Sequence, residues 1–210
     1  PSAPISVRGG SSIDNLSQES LGGGGGGGCI YVDYTTELLI NRTSFVAEGG
    51  QGAQRGGAGF VYIKQNTQDG DLYLINGGTN ASSTPAVSTQ FVDMTVDSVT
   101  VASSTTFVLE DSKSLTINDT LAFASSTNSS IIRVMGGTLN IPDTVTVQDV
   151  DFEIWQGASI PNASTLDLTI DNGALLDLHQ FTTSSALSIN SLTVNSGGTV
   201  THGANTTTAN

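Results

Sequence analysis

The chain has 210 residues, of which 12% are charged, and a net charge of −13, with six basic side chains against nineteen acidic ones. The cations Arg8, Arg42, Arg55, Lys64, Lys113 and Arg133 are scattered. A nucleic-acid groove or an anionic lipid surface needs them clustered, so neither partner is expected. Apolar residues make up 37%, and Ser, Thr, Asn and Gly dominate the polar remainder, a composition of strands and turns and not of charge-rich disorder.

Residues 1 to about 80 are glycine-rich and carry an internal repeat. Gly28-Cys29-Ile30-Tyr31-Val32 matches Gly59-Phe60-Val61-Tyr62-Ile63, a Gly-x-Φ-Tyr-Φ pattern 31 residues on. A glycine cluster precedes each copy, "GGGGGGG" or "GGQGAQRGGAG", and a second apolar stretch follows, "ELLINRTSFVA" or "DLYLING". A fixed period with strand signatures marks a solenoid. Glycine loses more freedom on folding than any other residue, so a seven-glycine run is either a tether or a place where only hydrogen side chains fit. The second cluster, one repeat later, favours packing: an extended segment against a face of the coil, satisfied by backbone hydrogen bonds. Cys29 lies in an apolar strand pattern and is expected to be a buried small hydrophobe. As the one cysteine it excludes an internal disulfide.

Residues 81 to 210 read as a succession of short strands, among them "KSLTINDTLAFA", "SIIRVMGGTLNI", "DTVTVQDVDFEIW" and "STLDLTIDNGALLDL". Apolar residues alternate with Thr, Ser, Asp or Asn, as in Leu166-Asp167-Leu168-Thr169-Ile170, which gives a strand with one buried face. No window carries helical spacing, so almost no helix is expected. Gly136-Gly137, Gly157, Gly173 and Gly197-Gly198 break the strands at intervals averaging about 20 residues. A Greek-key sandwich would turn more often and use more hairpin dipeptides than the single Asn172-Gly173 of this half. The predicted fold is all-β, a right-handed parallel β-helix (β-solenoid) with Gly-rich N-terminal coils. Its two parts are residues 1–80 and coils of about 20 residues over 81–210, about six of them after Asn80. Ile117, Leu139, Ile141, Leu166, Leu168, Ile170, Leu192 and Val194 are predicted to point into the coil and stack in ladders. No stretch approaches the roughly 20 apolar residues of a membrane span, so no membrane insertion is expected. The chain starts at Pro1 and reads as a mature product or a segment of something longer.

"GGGGGGGCIYV", "VAEGGQG", "GGAGFVYI" and "LTVNSGGTVTHGANTTT" together resemble the repeats of large secreted bacterial and archaeal cell-surface proteins. These are Gly-rich parallel β-helix proteins of the adhesin and autotransporter-passenger kind. The resemblance spans nearly the whole chain, but its motifs are compositional. It implies a secreted, extracellular or cell-surface location and a structural or adhesive role, and it supplies no catalytic residues.

Chemistry therefore has to be sought residue by residue. Pectate lyases and polygalacturonases share the β-helix, and glycoside hydrolysis needs two or three carboxylates on a groove. Asp149, Asp151 and Glu153 alternate in "QDVDFEIW" with Trp155 on the same parity, a pattern for a carbohydrate platform with surface glycans as ligand. The bland reading is a solvated outer face, with Val150, Phe152 and Ile154 inward, and it is favoured. His179 and His202 lack ligand-spaced partners and read as polar surface or turn residues. Calcium is the one cofactor with hard oxygen donors to offer it, at Asp69 to Asp71 and at Glu110-Asp111, but neither stretch has the spacing of a known calcium loop, and solvated turn acids are favoured. The heptaglycine lacks the Lys-Ser/Thr of a phosphate loop. Seven Asn-x-Ser/Thr sequons, at Asn15, Asn41, Asn80, Asn118, Asn128, Asn162 and Asn205, are candidate glycosylation sites where they fall in turns.

The reading favoured by the sequence is a non-enzymatic extracellular structural protein: a subunit or repeat segment of a filament, sheath or adhesin. Self-association is expected head to tail, the Gly-rich part of one unit meeting the "NSLTVNSGGTV" end of the next. A carbohydrate-binding or polysaccharide-degrading β-helix protein and a virion tail-fibre segment are the alternatives.

Overall fold

The structure, a computed structural model, describes residues 4–12, 23–52, 56–76, 86–88, 93–103, 105–124, 130–179 and 187–202. Among the described residues seventeen strands follow one another: β1 (Ile5–Ser6), β2 (Cys29–Tyr34), β3 (Phe45–Val46), β4 (Phe60–Gln65), β5 (Asp71–Ile75) and β6 (Ala86–Ser88). Next come β7 (Met94–Ala102), β8 (Thr105–Leu109), β9 (Ser114–Ala124), β10 (Ser130–Val134), β11 (Thr138–Asn140) and β12 (Thr144–Gln148). The last are β13 (Val150–Trp155), β14 (Asp167–Asp171), β15 (Leu175–His179), β16 (Ser191–Val194) and β17 (Thr199–His202). The described residues contain no α-helix, only 3-10 turns at Arg42–Ser44 and Ala163–Thr165. "ELLINRTSFVA" is mostly not strand: the first of these turns interrupts it and only Phe45–Val46 pairs.

Stacked parallel coils form a β-solenoid of about four turns. One face carries β6, β8, β10, β13, β15 and β17 in that order, every neighbour parallel. A second is built of β12, β14 and β16. A third runs β2, β4, β5, β7, β9 and β11. A register shift between Val96 and Ser98 splits β7 and β9 across a corner. The first half of β9 continues to β11, while β9 also packs against β12, which opens the second face.

The step per coil is longer than the sequence spacing suggests. Asp151 pairs with Ile131 twenty residues back, but Leu175 pairs with Asp151, and Thr199 with Leu175, at 24 residues. The reason is that the glycines mark two different corners. Gly157 lies over Gly136, and Gly197 lies over Gly173, so each of those pairs spans one coil. The interval from Gly157 to Gly173 runs between corners and shortens the average. All four glycines have positive φ, and Asn172 before Gly173 shares the left-handed region, a conformation most side chains resist.

Alternation sets the core. In β14 Leu168 and Ile170 are buried while Asp167, Thr169 and Asp171 are half-buried. Ile117, Leu139, Ile141 and Leu166 join one continuous core with Phe107, Phe152 and Ile154. Leu192 and Val194 depart from the expectation. They are in register with Leu168 and Ile170, but no described coil lies beyond them, and they are exposed.

The two copies of the 31-residue repeat, β2 and β4, pair in parallel with Tyr31 opposite Tyr62. The solenoid is not uniformly parallel, however. β4 turns back through residues 66–70 to pair antiparallel with β5, and β5 then pairs in parallel with β7. Cys29 is exposed and not buried: it shares its parity with Tyr31 and Asp33, and Ile30 takes the inward position.

The glycine clusters pack on one another. The Gly25 amide donates to the Gly10 carbonyl, Gly27 to Gly57, Gly28 to Val7, and Gly50 to the Gly25 carbonyl, at 2.8–2.9 Å. Segment 23–28 is thus bonded to three neighbours, 7–12, 47–52 and 56–59, whereas a strand in a flat sheet has two. Residues 23–28 of the heptaglycine are satisfied by backbone bonds as expected, but their partners are other glycine-rich segments and not a strand face of the coil. A Cβ on Gly27 would overlap the Ala47 carbonyl, and one on Gly50 the Gly10 carbonyl. Asn76, at the end of β5 and 1% exposed, joins bundle to solenoid: its Oδ1 accepts from the Gly49 amide at 2.8 Å and its Nδ2 donates to the Gly56 carbonyl at 3.1 Å.

Candidate functional site

The outer face of β10, β13 and β15 gathers the densest polar chemistry. In-register stacking puts Arg133 beside Glu153, and Trp155 beside His179. Arg133 Nε donates to Glu153 Oε2, and Nη2 donates to Oε1 at 3.1 Å, a two-point contact. Trp155 Nε1 donates to Glu153 Oε2 at 3.3 Å, and His179 Nε2 lies 2.7 Å from Asp177 Oδ2. Burial opposes the charge of Glu153. Hydrogen bonds from Arg133 and Trp155, with the Arg133 and His179 charges, outweigh it and hold the carboxyl below its ordinary range. Asp151 is pushed the other way, by burial first and then by Glu153 and Asp177.

This arrangement bears directly on the carbohydrate platform. Asp151, Glu153 and Trp155 do share one face, with Val150, Phe152 and Ile154 buried behind it. Asp149 does not join them: it sits before β13 at a corner, with φ 54°, and its amide donates to the Asn172 carbonyl. The Trp155 ring is stacked on His179, 4.6 Å between centroids and 16° between planes, and the Arg133 guanidinium lies 5.6 Å from its centroid. Those partners come from the coils on either side, so both ring faces are engaged along the solenoid axis. A sugar ring would have to displace one of them. His179 is thus a strand residue in a side-chain stack and not a lone turn residue. His202 lies on β17, opposite Leu178. These pairings escaped sequence reasoning because they require the coil step; the signal available was the shared parity of the cluster in "FEIW" and "LDLH".

Of the acids considered for calcium, Asp69 and Asp71 have partners of their own. Asp69 accepts from Asn118 Nδ2 at 2.9 Å, and Asp71 accepts from the Ser98 and Tyr73 hydroxyls. The Glu110 carbonyl accepts the Lys113 amide in a turn. Among the described residues no group of three or more His, Cys, Asp or Glu is placed to hold a metal ion.

Of the sequon asparagines, Asn41 caps the 3-10 turn, its Oδ1 accepting from the Thr43 amide and hydroxyl at 3.0 Å. Asn118 lies within β9, and Asn162 is tied to the Ile141 carbonyl at 2.6 Å. Asn15, Asn80, Asn128 and Asn205 lie outside the described residues.

One cleft, of about 200 Å³, opens between the 3-10 turn and strands β3, β4 and β5. Phe45, Val46, Ala47, Val61 and Ile75 form its apolar wall, and Arg42, Tyr73 and Glu48 line the remainder. Arg42 reaches it because Asn41 fixes the turn, and its guanidinium carbon lies 4.1 Å from the centroid of the Tyr73 ring.

Comparisons with family models, with curated proteins and with solved structures find no match to this chain.

Proposed function

We propose that this chain is an extracellular structural protein, a β-solenoid subunit or repeat segment of a surface filament, sheath or adhesin, joined end to end through its coils. The C-terminal coil carries this reading. Leu192, Val194 and Val200 are in register with Leu168, Ile170 and Leu176. Exposure rises from 1%, 0% and 2% in the inner residues to 43%, 48% and 39% in the outer ones. One further coil at the ~4.8 Å strand spacing would extend all three ladders and pair the edges of β16 and β17, which have no strand partner on that side among the described residues.

The next coil comes from another copy or from the following repeat of a longer chain, and in both cases the contact is head to tail. Such a contact is heterologous and grows into an open filament where its rotation does not close. The Gly-rich end is the mating surface, where β2 is an edge strand with Tyr31 60% exposed. A net charge of −13 opposes sideways clumping while axial strand pairing holds the thread. The reading is non-enzymatic: the most buried acid of the polar face, Glu153, is neutralised by Arg133.

Light scattering at physiological salt, with electron microscopy, tests the proposal. Rods longer than one unit are expected from the unaltered chain. A Leu192→Asp/Val194→Asp variant should give single units with the same circular dichroism. An unaltered chain that stays monomeric, with the β16 and β17 amides protected from exchange by its own residues, would overturn it.

A further inference from the structure

The cleft beside Arg42 has features that end-to-end assembly does not use. Tyr73 and the Phe45 carbonyl hold the guanidinium in place, the latter accepting from Nη1 at 3.4 Å, while Nε is buried without a hydrogen-bond partner. Among the described residues no carboxylate pairs with Arg42, although acids outnumber bases about three to one in the chain. Glu48, on the rim, pairs with Arg8 at 2.8 Å, so the acid nearest the cleft is occupied elsewhere. Desolvation dominates the surroundings of Arg42 and lowers its pKa, the signature of a cation short of counter-charge. The opposite wall is apolar.

We propose that this cleft binds a small carboxylate that carries an apolar group. The carboxylate takes the free edge of the Arg42 guanidinium in a charge-assisted hydrogen bond, and the apolar body lies against Val46, Ala47, Val61 and Ile75. The volume sets the size class. At about 200 Å³ the cleft is smaller than the roughly 300–1,000 Å³ that takes drug-sized ligands, so a short aliphatic or single-ring acid fits and a nucleotide or sugar chain does not. An apolar wall with one fixed cation selects against inorganic anions, which leave the wall wet, and against neutral molecules, which leave the cation unpaired. The pairing uses none of Leu192, Val194 and Val200, whose exposure carries the assembly reading, so its failure would leave that reading where it stands.

Methyl NMR titration of the full chain with benzoate, and with benzamide as its neutral counterpart, tests this. Benzoate is expected to move the Val46, Val61 and Ile75 methyl signals saturably, while benzamide binds about tenfold more weakly or worse. Arg42→Gln should cost benzoate about the same factor. If that variant loses its fold, the comparison of the two probes on the unaltered chain still decides. Equal binding of benzamide and benzoate, saturable shifts confined to other parts of the chain, or no saturable shift with benzoate would each overturn the proposal.

Discussion

Leu168→Ala against Leu192→Ala is the sharpest measurement of the coil register. Leu168 is 1% exposed and is stacked between Val145, 3% exposed, and Leu192, 43% exposed. Truncating a buried leucine typically costs ~2–5 kcal/mol. Here one neighbour is itself open to solvent and can settle into the gap, which favours the lower half of that range, about 2–3 kcal/mol. In a chain of this size that corresponds to a drop of roughly 5–10 °C in Tm. Leu192 already has much of its side chain in water, and its loss should cost less than about 1 kcal/mol in the isolated unit. Within end-to-end rods the same truncation should become as costly as the inner one, because the next coil then covers it. Thermal and urea unfolding, read by circular dichroism below and above the concentration at which rods form, gives both numbers. Equal costs in single units, or a Leu168→Ala change within about 0.5 kcal/mol of zero, would refute the reasoning, because a one-residue slip turns every side chain to the other face.

Two adjacent glycines offer a second contrast. A methyl on Gly26 would meet only the Gly57 carbonyl, at 3.9 Å, whereas one on Gly27 would overlap the Ala47 carbonyl. Neither has positive φ, so Gly26→Ala should be neutral or slightly stabilising. Gly27→Ala should cost about 1–3 kcal/mol and speed amide exchange at position 27 itself and at Gly59, and the reverse order would dismiss the bundle. Acid should also weaken the fold in a defined way. The carboxyl of Glu153 is held below its ordinary 4.5, so the stability it adds is complete above that pH and is lost as pH falls through the lower folded value. Asp143, held down by Thr165 and Asn162, and Asp167, held down by Ser191 and Asn190, act in the same direction. Urea midpoints between about pH 5 and pH 3 should therefore fall less in Glu153→Gln than in the unaltered chain. Parallel curves would show that the Arg133 pair contributes nothing to the acid limb.

Much of the solenoid is legible in the sequence because its rules are local. Alternation in "LDLTID" places Leu168 and Ile170 inward whatever the neighbouring coil contains. The turn glycines announce themselves because a left-handed corner excludes most side chains. What needs the coil step is less legible. Gly157 and Gly173 look like successive turns of one kind but occupy different corners, and that alone shortens the inferred coil. The polar face is half visible: Asp151, Glu153 and Trp155 share a parity, but Glu153 finds Arg133 only across one coil and Trp155 meets His179 only across the next. The apolar neighbours of Cys29 suggest an inward side chain, although Asp33 on the same parity already points outward. Asn76 gave no signal at all, because its role depends on two glycine segments that meet it from far along the chain.

The glycine bundle has a thermal consequence. Segments 23–28, 47–52 and 56–59 bring peptide groups together with few side chains, so taking them apart exposes chiefly polar surface. Exposing polar surface lowers the heat capacity, while exposing an apolar core raises it. Unfolding of the bundle therefore adds little or nothing to the heat-capacity increment contributed by the leucine and isoleucine ladders. Its stability curve is flat where theirs is domed. On cooling, the solenoid loses part of its hydrophobic support while the hydrogen-bonded glycine end keeps its own. The glycine-rich end is then the part of the molecule least weakened by cold.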